Sequence, residues 1–162
     1  MVITGDTINI DNIVINSFTG QIDIDGSDGV EITNNYIGLD TKAKYLSAFA
    51  NGIDIHGESN NIIIGNDITD GNIFGGSVND AYANINITST DNGVFEKYVS
   101  IRGNYIGIDP VGNIIGNNTV DGIELKGVYG TSVDIGGPDP SHRNIISSTG
   151  GHEAIILDLL EF

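Results

Sequence analysis

The chain has 162 residues, no cysteine, and 22 acidic against 6 basic side chains, for a formal net charge of −16. That length suits one domain spanning 1–162, the missing cysteine excludes a disulfide framework and thiolate chemistry, and the negative charge excludes nucleic acid as a partner. No apolar run approaches membrane-spanning length, so no membrane insertion is expected. The opening Met1-Val2-Ile3-Thr4-Gly5-Asp6 lacks the basic and apolar regions of a signal peptide, which leaves a chain that is cytoplasmic, already processed or cut from something longer. Isoleucine occurs 29 times against 6 leucines, with 19 asparagines and 23 glycines. β-Branched side chains suit a pleated surface, while Gly and Asn suit turns of positive φ, so the mixture predicts many short strands and almost no helix.

From the N-terminus, Ile13/Ile15 and Phe18 open a pattern. Three short apolar units follow in a fixed order, Ile22/Ile24, Val30/Ile32 and Ile37. The order returns as Ile53/Ile55, Ile62/Ile64 and Phe74, then as Ile85/Ile87, Val99/Ile101 and Ile106. It returns again as Ile123/Leu125, Val133/Ile135 and Ile146, before Ile155/Leu157 begins once more. Alternation with period two puts both members of a pair on one side and the residue between them on the other. No such strand buries its apolar face alone; stacked rungs do. A longer self-similarity reinforces the period. Asn35-Tyr36-Ile37-Gly38-Leu39-Asp40 returns 69 residues later as Asn104-Tyr105-Ile106-Gly107-Ile108-Asp109, and the Gly52-Ile53-Asp54-Ile55 that follows is matched, after a loop, by Gly122-Ile123-Glu124-Leu125. The expected fold is all-β, a right-handed parallel β-helix (a solenoid) of about five rungs, roughly 24 Å long at about 4.8 Å per strand.

One asparagine precedes each third strand: Asn16, Asn35, Asn72, Asn104 and Asn144. Asn tolerates the left-handed conformation and its amide both donates and accepts, so asparagines in phase predict a ladder hydrogen-bonded along the rod. The plainer alternative is that Asn is a common turn residue. Loops absorb the differences in rung length. Thr41 to Ala50 and Pro110 to Thr119 leave the third strand at equivalent places, and Ser89 to Lys97 leaves the first strand of the fourth rung. A helical turn is expected over Thr41 to Leu46.

On the first strand of each rung the outward residues form two columns: Asp23, Asp54, Asn86 and Glu124, and, two residues on, Asp25, His56, Thr88 and Lys126. Outward strand positions are ordinarily just polar. The sharper reading starts from Asp23 and Asp54, whose backbones stand about 4.8 Å apart. Their charges repel unless they splay, and they offer a seat to a hard cation, because Ca²⁺ takes carboxylate oxygens with loose geometry. Asp25 and the loop acid Asp28 complete the expected shell, so the metal candidates are Asp23, Asp54, Asp25 and Asp28, with Ca²⁺ a candidate cofactor and none required. Lys126 and His56 are weighed for catalysis, and no catalytic residue is assigned. Asp139-Pro140-Ser141-His142-Arg143 reads as a structural turn, and His152 and Glu153 precede the last strand without an assigned partner. Phe74-Gly75-Gly76 has no helix or Lys-Ser/Thr after it and is no phosphate loop.

The final strand, Ala154 to Phe162, is apolar on both faces, and its outward Ile156 stands in the column of acids. Open parallel edges invite pairing with another chain. The expected partner is therefore a second copy, through Ile156, Leu160 and Phe162, or the continuation of the same rod.

Asn104-Tyr105-Ile106-Gly107-Ile108-Asp109, Gly116-Asn117, Gly122-Ile123, Ile135-Gly136-Gly137 and Arg143-Asn144-Ile145-Ile146-Ser147 follow one another along the chain. From about Gln21 onward the chain thereby resembles the bacterial right-handed parallel β-helix repeat proteins. Their rungs read roughly Asn-X-Ile-Gly-Thr-Asp, loop, Gly-Asn, Gly-aliphatic, Ile-Gly-Gly and Arg-Asn-X-Ile-Ser; Leu39 and Ile108 stand where that pattern has Thr. The resemblance implies the fold, and a structural or interaction module of an extracellular or cell-surface protein, self-associating or binding a ligand such as carbohydrate. Because the same fold carries lyases and hydrolases, an enzyme acting on acidic glycans is the rival expectation, with outward acids holding calcium and a Lys as base. A phage spike or fibre segment is the third.

Overall fold

A computed structural model describes residues 1–16, 20–40, 42, 51–75, 82–88, 97–115, 120–127, 131–147 and 152–158. The Ile-X-Ile alternation becomes short strands throughout, numbered here in chain order and gathered into three parallel sheets. The first sheet holds β1 (Val2–Ile3), β4 (Ile22–Asp25), β7 (Ile53–His56), β10 (Ala83–Thr88), β13 (Asp121–Lys126) and β16 (Ile155–Asp158). The second holds β2 (Ile8–Asp11), β5 (Val30–Thr33), β8 (Ile62–Ile64), β11 (Lys97–Ile101) and β14 (Thr131–Ile135). The third holds β3 (Val14–Ile15), β6 (Tyr36–Ile37), β9 (Ile73–Phe74), β12 (Tyr105–Ile106) and β15 (Ile145–Ile146). Every strand pairs with the third one along the chain. Ile22, Ile53, Ile85, Ile123 and Ile155 thus stand opposite one another in sequence down the first sheet. Among the described residues the helical element is one short 3₁₀ turn, Pro140–His142, and no helix is long and apolar enough to cross a membrane.

One apolar core draws on all three sheets: Ile24 and Ile53 from the first, Ile32 and Ile64 from the second, Phe74 and Ile106 from the third. Each is at most 0% exposed. A smaller cluster lies on the other side of the third sheet, where Leu39, Ile73 and Ile115 are buried against Tyr36 and Tyr105. This explains the aliphatic residue in the long repeat: Leu39 is fully buried outside the sheet, and Ile108 bridges to Ile114 across the loop that brings Ile115 in. The repeat's glycines have equally local reasons. A Cβ on Gly52 would lie 2.5 Å from the Asn84 carbonyl oxygen, and one on Gly122 would lie 2.4 Å from that of Ala154. Only glycine lets the next rung approach so closely.

The first rung differs from expectation. β2 runs through Ile8 and Ile10, and these, rather than Ile13 and Ile15, stand opposite Val30 and Ile32. Ile15 belongs to the third sheet opposite Ile37, and Phe18 lies outside the described residues. Val2 and Ile3 add a further strand to the first sheet, opposite Asp23 and Ile24. The cause is a pair of corners at non-glycine residues, Thr7 with φ 58° and Asn12 with φ 56°, which turn the chain one strand earlier than the apolar spacing suggests. The expected helical turn over Thr41 to Leu46 lies outside the described residues except for Lys42.

The asparagine ladder is present, with one member replaced. Asn35, Asn72 and Asn104 are completely buried. The backbone N–H and the side-chain Nδ2 of Asn35 both donate to Asn72 Oδ1, at 3.1 and 3.0 Å. Asn72 donates in the same way to Asn104 at 3.0 and 3.0 Å, and Asn104 to Asn144 at 3.0 and 3.0 Å. Each Nδ2 also caps a carbonyl of the preceding corner: Ile10, Ile32, Ile64 and Ile101 in turn. At the N-terminal end the Ile13 N–H donates to Asn35 Oδ1 at 3.0 Å, so Ile13 occupies the rung position expected for Asn16. Asn16 instead donates to the Leu39 carbonyl at 3.0 Å.

Candidate functional site

The polar face of the first sheet gathers most of the chemistry, because its strands carry acid, amide or imidazole between their buried aliphatic residues. Register brings Asp23 opposite Asp54, and Asp25 opposite His56. Asn86 stands between Asp54 and Glu124, and Thr88 stands opposite Lys126. His56 is clasped by acids on both ring nitrogens, Nε2 lying 2.6 Å from Asp23 Oδ1 and Nδ1 3.4 Å from Asp25 Oδ1. Asp54 is satisfied by amides: Asn86 Nδ2 donates to Oδ1 at 2.7 Å and Asn51 Nδ2 to Oδ2 at 3.2 Å. The like charges of Asp23 and Asp54 are thus each given a different partner. Between them opens a depression of about 200 Å³ lined by Gln21, Asp23, Asn51, Asp54 and Tyr82.

Asp28 stands outside this column. It lies at the corner before β5, bridged to Asn60, and its carboxylate accepts from Asn61 Nδ2 at 2.8 Å. The expected four-acid shell is therefore divided: Asp23 and Asp54 adjoin, Asp25 is drawn to His56, and Asp28 serves the turn. Lys126 Nζ lies 2.7 Å from Glu124, so the ammonium weighed as a base is already ion-paired.

The lower half of the face is not a solvated one. Asn86 and Glu124 are less than a tenth exposed although they alternate with the buried aliphatic residues of their strands, and Asn84 and Asp121, at the strand starts, are as deeply enclosed. Asn86 Oδ1 is buried without a hydrogen-bond partner. Burial pushes the Asp121 carboxyl above the ordinary carboxylate range; the Glu153 amide and His152 oppose that shift, and the charges of Glu124 and Glu153 add to it. Asp121, His152 and Glu153 each bring one ligating atom within 4.8 Å of the other two. Alternation did not expose this group, because Asp121 opens its strand and the other two residues precede theirs.

Elsewhere the acids serve turns. Asp139 Oδ1 accepts from the Ser141 N–H and hydroxyl, both at 2.8 Å, and these bonds hold its carboxyl below the usual range. The Asp139 to Arg143 stretch is thus a capped 3₁₀ turn, as the sequence reading has it. In the long repeat, Asp109 accepts from Asn113 Nδ2 and from the N–H groups of Val111 and Asn113, and Asp40 accepts from the Lys42 N–H. Comparison with protein-family models, with curated proteins and with solved structures gives no match.

Proposed function

We propose that the three sheets are the faces of a right-handed parallel β-helix of the bacterial repeat type, and that the rod is a structural or interaction module of a surface or extracellular protein that associates end to end. The hand follows from the near-universal preference of parallel crossovers. One observation carries the function. Ile155 and Leu157 continue the column of Ile123 and Leu125, yet they are 46% and 60% exposed, where Ile123 and Leu125 are 0% and 7% exposed. Among the described residues the column therefore ends on uncovered aliphatic surface at an unpaired strand edge, which a further rung would cover, whether from a second copy or from continuation of the same rod. Fully burying such a side chain is worth about 1.5–3 kcal/mol, and pairing the free edge adds main-chain hydrogen bonds. A rung stacked there in parallel makes a head-to-tail contact, which extends into a filament rather than closing as a dimer. Ile156 of β16 stands opposite Glu124 of β13, while Leu160 and Phe162, also expected in the contact, lie outside the described residues.

Sedimentation over a range of concentrations tests this. The parent chain should form a series of growing species, and Leu157→Lys should return it to monomer with an unchanged circular dichroism spectrum. A parent chain that stays monomeric at high concentration overturns the proposal. The rival reading, action on acidic glycans, is tested by incubation with uronate polymers. Steady formation of ultraviolet-absorbing unsaturated product, abolished by Lys126→Ala, would replace a structural role with a lyase.

A further inference from the structure

We propose that Asp121, His152 and Glu153 form a binding site for a divalent transition-metal ion, with Zn²⁺ the best match. The three donors come from two neighbouring rungs and are placed by backbone rather than by flexible side chains alone. The Gly122 N–H donates to the Glu153 carbonyl at 3.0 Å and the Ile123 N–H to that of Ala154 at 3.1 Å, fastening the segment before β16 onto β13. Gly122 permits that approach, since any Cβ there would strike the Ala154 carbonyl. The Glu153 N–H in turn donates to Asp121 Oδ1 at 3.0 Å and fixes the carboxylate's orientation, the service that outer hydrogen bonds give to metal ligands. His152 Nδ1 lies 3.7 Å from the same oxygen. Ligand atoms around a tetrahedral Zn²⁺ stand about 3.4 Å apart, so three atoms already within 4.8 Å of one another converge with small side-chain rotations.

Charge and chemistry point the same way. Asp121 is only 7% exposed, and two further carboxylates face it, Glu153 and the Lys126-paired Glu124, beside the His152 imidazole. A buried carboxylate in such company is costly, and a dication offsets the charges of Asp121 and Glu153 together. An imidazole beside two carboxylates suits Zn²⁺ or Mn²⁺ better than Ca²⁺ or Mg²⁺, which favour oxygen-only shells. His56 lacks this property despite its acid neighbours: Asp23 and Asp25 approach opposite ring nitrogens and cannot converge with the ring on one ion.

The test is calorimetric titration of the full chain with Zn²⁺, with Mn²⁺, Ca²⁺ and Mg²⁺ as separate arms, alongside the visible spectrum of bound Co²⁺. One saturable equivalent of Zn²⁺ is expected, weakening as acid protonates the imidazole, because only the neutral ring ligates. His152→Gln and Asp121→Asn should each weaken binding by at least the roughly 10-fold that loss of a mere supporting group costs. His56→Gln should leave it unchanged. Asp121→Asn keeps an acceptor for the Glu153 N–H, and His152→Gln changes a residue outside any strand, so either variant carries the test if the other fails to fold. No saturable Zn²⁺ binding overturns the proposal, as do unchanged binding in His152→Gln or loss of binding in His56→Gln.

Discussion

Replacing Asn72 with alanine removes the middle of the ladder, and the structure allows the cost to be worked group by group. The lost amide donates to the Ile32 carbonyl at 2.7 Å and to Asn104 Oδ1 at 3.0 Å, and it accepts from the N–H and Nδ2 of Asn35 at 3.1 and 3.0 Å. Three of the four partners keep another bond. The Ile32 carbonyl still accepts from the Gly65 N–H, Asn104 Oδ1 from the Asn72 N–H, and Asn35 Nδ2 still donates to Ile10. The Asn35 N–H loses its acceptor at a site with no exposure. An orphaned buried donor costs about 1–3 kcal/mol and each of the three replaceable bonds about 0.5–1.5 kcal/mol, so the sum is roughly 2.5–7.5 kcal/mol. That is a large part of the roughly 5–15 kcal/mol that holds a domain together. Asn144→Ala, at the partly buried end of the ladder, removes fewer bonds and should cost less, about 1–3 kcal/mol for the freed Asn104 N–H. Asn16→Ala, off the ladder, should cost no more. Urea unfolding followed by circular dichroism measures all three. An Asn72→Ala variant no less stable than Asn144→Ala would refute the view that the ladder is a main support of the stack.

Gly52→Ala should cost about 1–3 kcal/mol through its collision with the Asn84 carbonyl, whereas Gly20→Ala, with open space at the same position, should stay within about 0.5 kcal/mol of the parent. Asp109 is held below the usual carboxylate range, first by the Asn113 side chain and then by backbone N–H groups of its loop. Its folded pKa lies below its unfolded one, so its contribution is present above the unfolded value and is lost as pH falls through the folded one. Asp109→Asn should therefore lower the melting temperature at neutral pH, and the gap should close in strong acid; a gap independent of pH would contradict the assignment. For the acid column, we propose a weak Ca²⁺ seat at Asp23 and Asp54, the pair that register brings together. Ca²⁺ should then raise the melting temperature more than Mg²⁺ does, and Asp54→Asn should remove the difference; equal effects of the two ions would leave the column a hydrogen-bonded face alone.

The sequence by itself determined the strand order and most of the register. Parallel strands pair residue on residue at a fixed spacing, so an aliphatic pair recurring along the chain fixes which side chains share a column. The stacking of Asp23 on Asp54, Asp25 beside His56, and Ile156 beyond Glu124 was legible for that reason. Tertiary structure alone decided what happens where the alternation stops. Corners of positive φ at Thr7 and Asn12 set the phase of the first rung, and they gave the ladder's first position to Ile13 rather than Asn16. Burial of outward residues was equally hidden. Asn86 and Asp23 occupy the same column in the sequence pattern, yet Asn86 is enclosed and Asp23 is not. Asp121 meets Glu153 from 32 residues away, the one at the first position of its strand and the other just before its own, where the alternation has not begun and two backbones approach closely at Gly122.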